Sequence, residues 1–126
     1  MMEERINYLK EKGVDIDASL ELLGDMDMYN EVLETFIEEN KDRIPRIEKN
    51  KNDGNMSDYA IDVHALKSDS KYLGFKKLAE LSLDHELKSK ENDIEYINSH
   101  YDELMNEYER IRKVLDKYME GIWKQS

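Results

Sequence analysis

Between Ile94 and Ile122 an apolar or tyrosyl side chain recurs at alternating intervals of three and four residues: Ile94, Ile97, Tyr101, Leu104, Tyr108, Ile111, Leu115, Tyr118 and Ile122. That spacing keeps all of them on one face of an α-helix. A helix so long and so one-sided must be covered by other helices, either in a coiled coil or in a folded bundle. The preceding sequence favours the bundle. It is broken by isolated glycines into further amphipathic stretches, and the 126-residue chain has one proline and five glycines, too few for the turns of a β-rich protein.

Gly13 closes a short segment carrying Ile6, Tyr8 and Leu9, and Gly24 ends a brief turn that Asp17 is placed to cap. A long helix is expected from near Asp27, with Val32, Leu33, Phe36, Ile37, Ile44 and Ile47 on its dry side and a kink or break at Pro45. The run Lys51-Asn52-Asp53-Gly54-Asn55 reads as a loop, with Ser57 capping the next helix. There, Tyr59, Val63, Leu66, Ser70 and Leu73 form one stripe up to Gly74. Phe75, Leu78, Leu81, Ser82 and His85 mark another helix of about four turns. Asn92 and Glu95 resemble a capping box for the last helix, and Gly121 suits its closing turn. The fold class is therefore all-α, an antiparallel up-down four-helix bundle with short N-terminal helical segments. The expected layout is a helical lead-in over 1–15, the bundle over 16–122 and a C-terminal tail over 123–126.

Charge and composition narrow the chemistry. The net charge of −11 repels nucleic acid and anionic membranes alike. No apolar run approaches the roughly 18 residues of a membrane span. The N-terminal MMEERINYLKEKG is no signal peptide, so a cytoplasmic setting is expected. With no cysteine there is no disulfide, thiolate nucleophile or Cys-based zinc site. The Glu-x-x-His pairs of di-iron bundles are missing, since Ile61, Ser82 and Ile97 stand three residues before His64, His85 and His100. Neither a phosphate-cradling glycine loop nor a Gly-x-Ser-x-Gly elbow occurs.

Among the three histidines, His85 falls on an apolar stripe and reads as a half-buried packing residue, and His100 as surface decoration. His64 points about 140° away from the buried direction of its helix and should stand in solvent. Lys67 and Lys71 follow it on the same wet face, and four lysines against one acid between His64 and Lys77 make a cationic island on an acidic chain. To one side, Ile61, Ala65, Ser68 and Tyr72 form a second, mostly apolar strip, open either to a docking partner or to cover by the short N-terminal helix with Ile6 and Leu9.

The stretch His64-Ala-Leu-Lys67-Ser68-Asp-Ser70-Lys71-Tyr-Leu-Gly74, followed by Leu78, Leu81 and Glu86, resembles the signature of the histidine-containing phosphotransfer domain family. The upstream segment from Gly13 through Leu20, Gly24, Asp25, Tyr29 and Phe36 is similar as well, so the resemblance covers about residues 13–118. It implies a four-helix bundle that carries a phosphoryl group between aspartates of receiver domains, which belong to response regulators or a hybrid sensor histidine kinase. By that likeness His64 is the phosphoacceptor, Lys67 steadies the phosphoryl oxygens with Ser68 and Lys71 at its flank, and Ser70 and Gly74 are structural. Ile61, Ala65 and Tyr72 are then the docking strip. The receiver brings Mg²⁺, and the chain itself is a monomeric phosphocarrier with no cofactor and without a kinase or metal site of its own, His64 and Lys67 being its catalytic residues. Ser68 replaces the usual glycine after the lysine, and His85 replaces a leucine before Glu86, where it should cost packing. The alternative class is a non-phosphorylated helical adaptor or receiver-docking protein.

Overall fold

The structure, a computed structural model, describes residues 2–125, with side chains at 3–120. Six helices follow one another: α1 (Met2–Glu11), α2 (Ile16–Leu23), α3 (Met26–Asp53), α4 (Met56–Leu73), α5 (Lys76–Lys90) and α6 (Ile94–Gln125). The four long ones form the bundle. α4 packs against α3 on one side and α5 on the other, and α6 closes the ring against α5 and α3. α1 lies on α6 and α2, while α2 bridges α3 and α4.

The apolar stripes fall where the spacing puts them. Tyr59, Val63, Leu66, Ser70 and Leu73 of α4 all have no exposed surface. Ile97, Leu104, Tyr108, Ile111, Leu115 and Tyr118 of α6 are buried, whereas Ile94 is exposed and the side chain of Ile122 lies outside the described residues. The helix runs on through position 121 to Gln125, so Gly121 is not its closing turn.

Four expectations about helix ends shift by a residue or two. Asp15 rather than Asp17 caps α2, accepting from the Ala18 amide at 3.2 Å. Asp25 caps α3 through the Met28 amide at 2.9 Å. Asn55 rather than Ser57 caps α4 through the Asp58 amide at 3.2 Å. Asp93 accepts from the Tyr96 amide at 3.0 Å while Asn92 adopts a left-handed φ of 57°, so the Asn92–Glu95 capping box is not formed. Ile16 and Met56, directly after the caps Asp15 and Asn55, are buried, as are Tyr29 and Ile97 one turn after Asp25 and Asp93. Core burial outweighs the small differences among N-cap side chains.

The expected break at Pro45 is absent, and α3 is continuous to Asp53. Pro45 is exposed, so the Lys41 carbonyl that loses its amide partner faces water, while Arg43 and Ile47 are buried on either side. The run 51–53 is the last turn of α3 rather than loop, and Gly54 ends it with φ 70°.

Gly74 does more than stop α4. Its φ of 83° is left-handed, and a Cβ there would stand 2.5 Å from the Asp15 carbonyl oxygen. The Gly74 carbonyl accepts from the Asp15 amide at 2.9 Å, and the buried Tyr29 hydroxyl donates to the Leu73 carbonyl at 2.9 Å. The end of α4 is thereby locked to α2 and α3.

Candidate functional site

His64 stands midway along α4 with 55% of its side chain exposed, as the helical wheel demands. Beneath it lies Glu86 of α5, whose side chain is only 4% exposed. Three donors converge on this carboxylate. His64 Nδ1 and Lys90 Nζ both lie 2.8 Å from Oε2, and Lys67 Nζ lies 2.8 Å from Oε1. Burial pushes the Glu86 carboxyl up, but the hydrogen bonds from Lys67, Lys90 and His64 outweigh it and hold the group down at about 2. An ionised carboxylate only accepts, so Nδ1 must carry the ring proton. In the neutral ring the lone pair is then on Nε2.

The neighbouring His85 holds Glu86 in register. It is fully buried, not half-buried, with 1% exposure. Its Nε2–H donates to the His100 carbonyl at 3.1 Å, and its Nδ1 accepts from the Tyr59 hydroxyl at 2.8 Å. A carbonyl accepts only, which fixes the tautomer and with it the direction of the tyrosine bond. Burial pushes His85 down to about 4, so the ring is neutral at neutral pH. Both ring nitrogens have partners, and the expected packing cost is replaced by a polar tie between α4, α5 and α6. His100 is half-buried rather than merely decorative, its ring stacked on Tyr96 at 3.9 Å with Nδ1 on the Tyr96 carbonyl.

The other expected residues divide clearly. Lys67 is mostly buried, at 19% exposure, because its stem runs inward to Glu86. Lys71 is exposed and Ser68 half-buried beside them. Ser70 is buried in the core stripe, its hydroxyl without a hydrogen-bond partner. Lys76 pairs with Asp15 at 2.9 Å and so belongs to the α2 junction. The cationic island therefore has an anion at its centre: Glu86 and Lys90 lie beyond the window that the lysine count covered.

Ile61 and Tyr72 are 66% and 50% exposed, and Ala65 is half-buried. α1 does not cover this strip; it packs on α6 and α2, with Leu9 fully buried. Exposed Leu83 and Leu87 of α5 add apolar surface that the sequence reading passed over. A groove of about 730 Å³ beside His64 is lined by Ser57, Ile61, Glu86, Ser89 and Lys90. A second groove of about 370 Å³ beyond Lys67 is lined by Lys71, Gly74, Lys76 and Leu83.

The bundle holds the His64 imidazole at its surface, backed by the Glu86 carboxylate and flanked by the Lys67 and Lys90 ammonium groups. The Hpt domain family model matches residues 31–114, and the chain belongs to that family. No curated protein and no solved structure matches it. Hpt domains are phosphocarrier modules that work with receiver domains and kinases, so the function is histidine phosphotransfer in two-component or phosphorelay signalling. Among the described residues no helix is long and apolar enough to cross a membrane.

Proposed function

We propose that this chain is a phosphorelay intermediate that carries a phosphoryl group on His64 Nε2 between the aspartates of two receiver domains. The observation that carries the reading is the Nδ1–Glu86 hydrogen bond, which aims an unprotonated Nε2 outward from an otherwise rigid helix. In the forward step the Nε2 lone pair attacks phosphorus. The acyl P–O bond breaks, and the receiver aspartate leaves as a carboxylate. The ring then carries a positive charge shared over Nδ1–H, which Glu86 offsets at 2.8 Å. In the onward step a second aspartate attacks phosphorus and the ring leaves with its electron pair.

Phosphoryl transfer needs chiefly positioning and charge neutralisation. Lys67, with Ser68 and Lys71 near it, supplies positive charge and donors at the edge of the transferring group. The receiver contributes Mg²⁺, and the carrier works as a monomer. Ile61, Ala65 and Tyr72 are the surface on which a receiver helix packs, Ile61 and Tyr72 being exposed and Ala65 half-buried between them.

Incubation with a phosphorylated receiver tests the proposal. His64 should take up an acid-labile, alkali-stable label, and His64→Gln should abolish uptake with its helical circular dichroism intact. Label persisting at His85 or His100 in that variant would refute it.

A further inference from the structure

The half of α5 that carries Glu86 has little apolar grip on the bundle. Leu78 is fully buried and Leu81 half-buried toward its start, but beyond them the buried side chains are Ser82, His85, Glu86 and Ser89, while Leu83 and Leu87 are exposed. The Ser82 hydroxyl has no hydrogen-bond partner, and the Ser89 hydroxyl donates back to the Glu86 carbonyl, so neither bonds to another helix. His85 does. Its Nε2–H donates to the His100 backbone carbonyl of α6 at 3.1 Å, and its Nδ1 accepts from the Tyr59 hydroxyl of α4 at 2.8 Å. We propose that Tyr59 and His85 are positioning residues for phosphoryl transfer, their chain to the His100 carbonyl setting the lie of α5 so that Glu86 meets His64 Nδ1; this rests on the carrier reading above.

Apolar contact is non-directional, whereas a hydrogen bond fixes both the separation and the alignment of its two ends. His85 and Glu86 are consecutive, so α5 grips α4 at two points, Tyr59 and, five residues on, His64. Those points are about 7.5 Å apart along the helix axis, which fixes the rotation of α5 as well as its height. The His100 carbonyl adds a third point on α6. Being backbone, it cannot turn away as a side chain could, and its second lone pair leaves its own helix bond intact. The His85 ring is further wedged against Tyr59 at 6.0 Å and edge-on to Tyr96 at 5.9 Å.

Stability and positioning separate at this point. Exchanging a buried hydrogen-bonded pair for two apolar groups of similar size changes stability little, because both partners leave together. What is lost is the directional tie. Glu86 is then held to α4 only by His64 and Lys67, the groups it serves, and a small shift of α5 weakens its bond to Nδ1. The ring divides its proton between the two nitrogens, so fewer molecules offer a free Nε2 lone pair. In a transfer that depends on alignment, that loss is read as rate.

The test compares wild type with the double variant Tyr59→Phe/His85→Leu, with Tyr59→Phe alone and with His85→Gln, whose amide can accept from Tyr59 and donate to the His100 carbonyl. Urea unfolding reads stability, ¹⁵N NMR of the unphosphorylated proteins reads the His64 tautomer, and phosphoramidate, a small-molecule phosphoryl donor that releases ammonia, reads the rate of uptake. The double variant should keep a urea midpoint near that of wild type at pH 7. Its His64 nitrogens should nevertheless move from the Nδ1–H pattern toward an averaged one, and uptake should slow about fivefold. Tyr59→Phe, which deletes a single oxygen, should move the ring signals in the same direction but less, and His85→Gln should hold them near wild type. Unmoved ring signals and normal uptake in both Tyr59 variants overturn the inference and leave the carrier reading intact. So does slow uptake that only tracks the unfolded fraction, or a His85→Gln protein that behaves like the double variant. Shifted ring signals in a protein whose wild type holds no phosphate on His64 support the tie and remove the carrier reading.

Discussion

Replacing Glu86 by glutamine changes the shape of the site very little and removes the charge on which three donors converge. The magnitude can be worked from the carboxyl itself. Held at about 2 instead of 4.5, it is worth up to ~3 kcal/mol of stability at neutral pH. His64 and Lys90 are more than half exposed, so solvent screening reduces this to about 1–2 kcal/mol. The sign is set by the direction of the shift. A carboxyl lowered on folding stabilises above its unfolded value, and its contribution is lost as pH falls from about 4.5 toward 2. Urea unfolding of Glu86→Gln should therefore show a deficit of about 1–2 kcal/mol at pH 7 that shrinks as the pH is lowered through 4. The amide can also present either end to Nδ1, so the ring loses its fixed tautomer and phosphate uptake should fall by at least tenfold, about 1.4 kcal/mol of transition-state stabilisation. A variant that is as stable as wild type at pH 7 and accepts phosphate at the normal rate would refute the reasoning.

Four further outcomes are expected. His85, pushed down to about 4 by burial, binds its proton less readily folded than unfolded, so it withdraws up to ~3 kcal/mol as pH falls from about 6.5 to 4; His85→Phe should flatten that limb of the stability–pH curve relative to wild type. Gly74→Ala faces both a left-handed φ and a backbone oxygen at 2.5 Å, and thermal unfolding should show a loss of ~3 kcal/mol or more. Lys67→Ala should slow receiver-to-His64 transfer and shorten phosphohistidine lifetime more than Lys71→Ala, because only Lys67 is held at Glu86; the reverse order in a quenched-flow comparison would overturn that ranking. Ile61→Asp should leave the melting temperature within a few degrees of wild type while weakening receiver binding in a titration, and early unfolding with normal binding would contradict the docking strip.

The fold was legible in the sequence wherever burial is periodic. The stripes of α4 and α6 depend only on the helical repeat, and the exposure of His64 follows from the same wheel. Helix ends were less legible because Asp15 and Asp17, or Asn55 and Ser57, are nearly equivalent caps whose choice is made by tertiary burial. Pro45 misled because a proline on the wet side of a long helix costs less than one facing the core. Glu86 was visible as part of a signature but not as the partner of His64. That contact spans 22 residues and two antiparallel helices, and nothing local encodes it. The buried polar run of α5, with Ser82, His85, Glu86 and Ser89 on one face, was the available clue. Its partners, Tyr59 and the His100 carbonyl, come from other helices and become apparent only once the bundle is assembled.

The central claim is that one ring nitrogen of one histidine accepts the phosphoryl group because Glu86 occupies the other. NMR of the ¹⁵N-labelled phosphoprotein tests this directly, through the coupling between phosphorus and the bonded ring nitrogen. The account predicts a single phosphohistidine, at His64, with phosphorus on Nε2 and a proton retained on Nδ1. Phosphorus on Nδ1 of His64, or on His85 or His100, would contradict it.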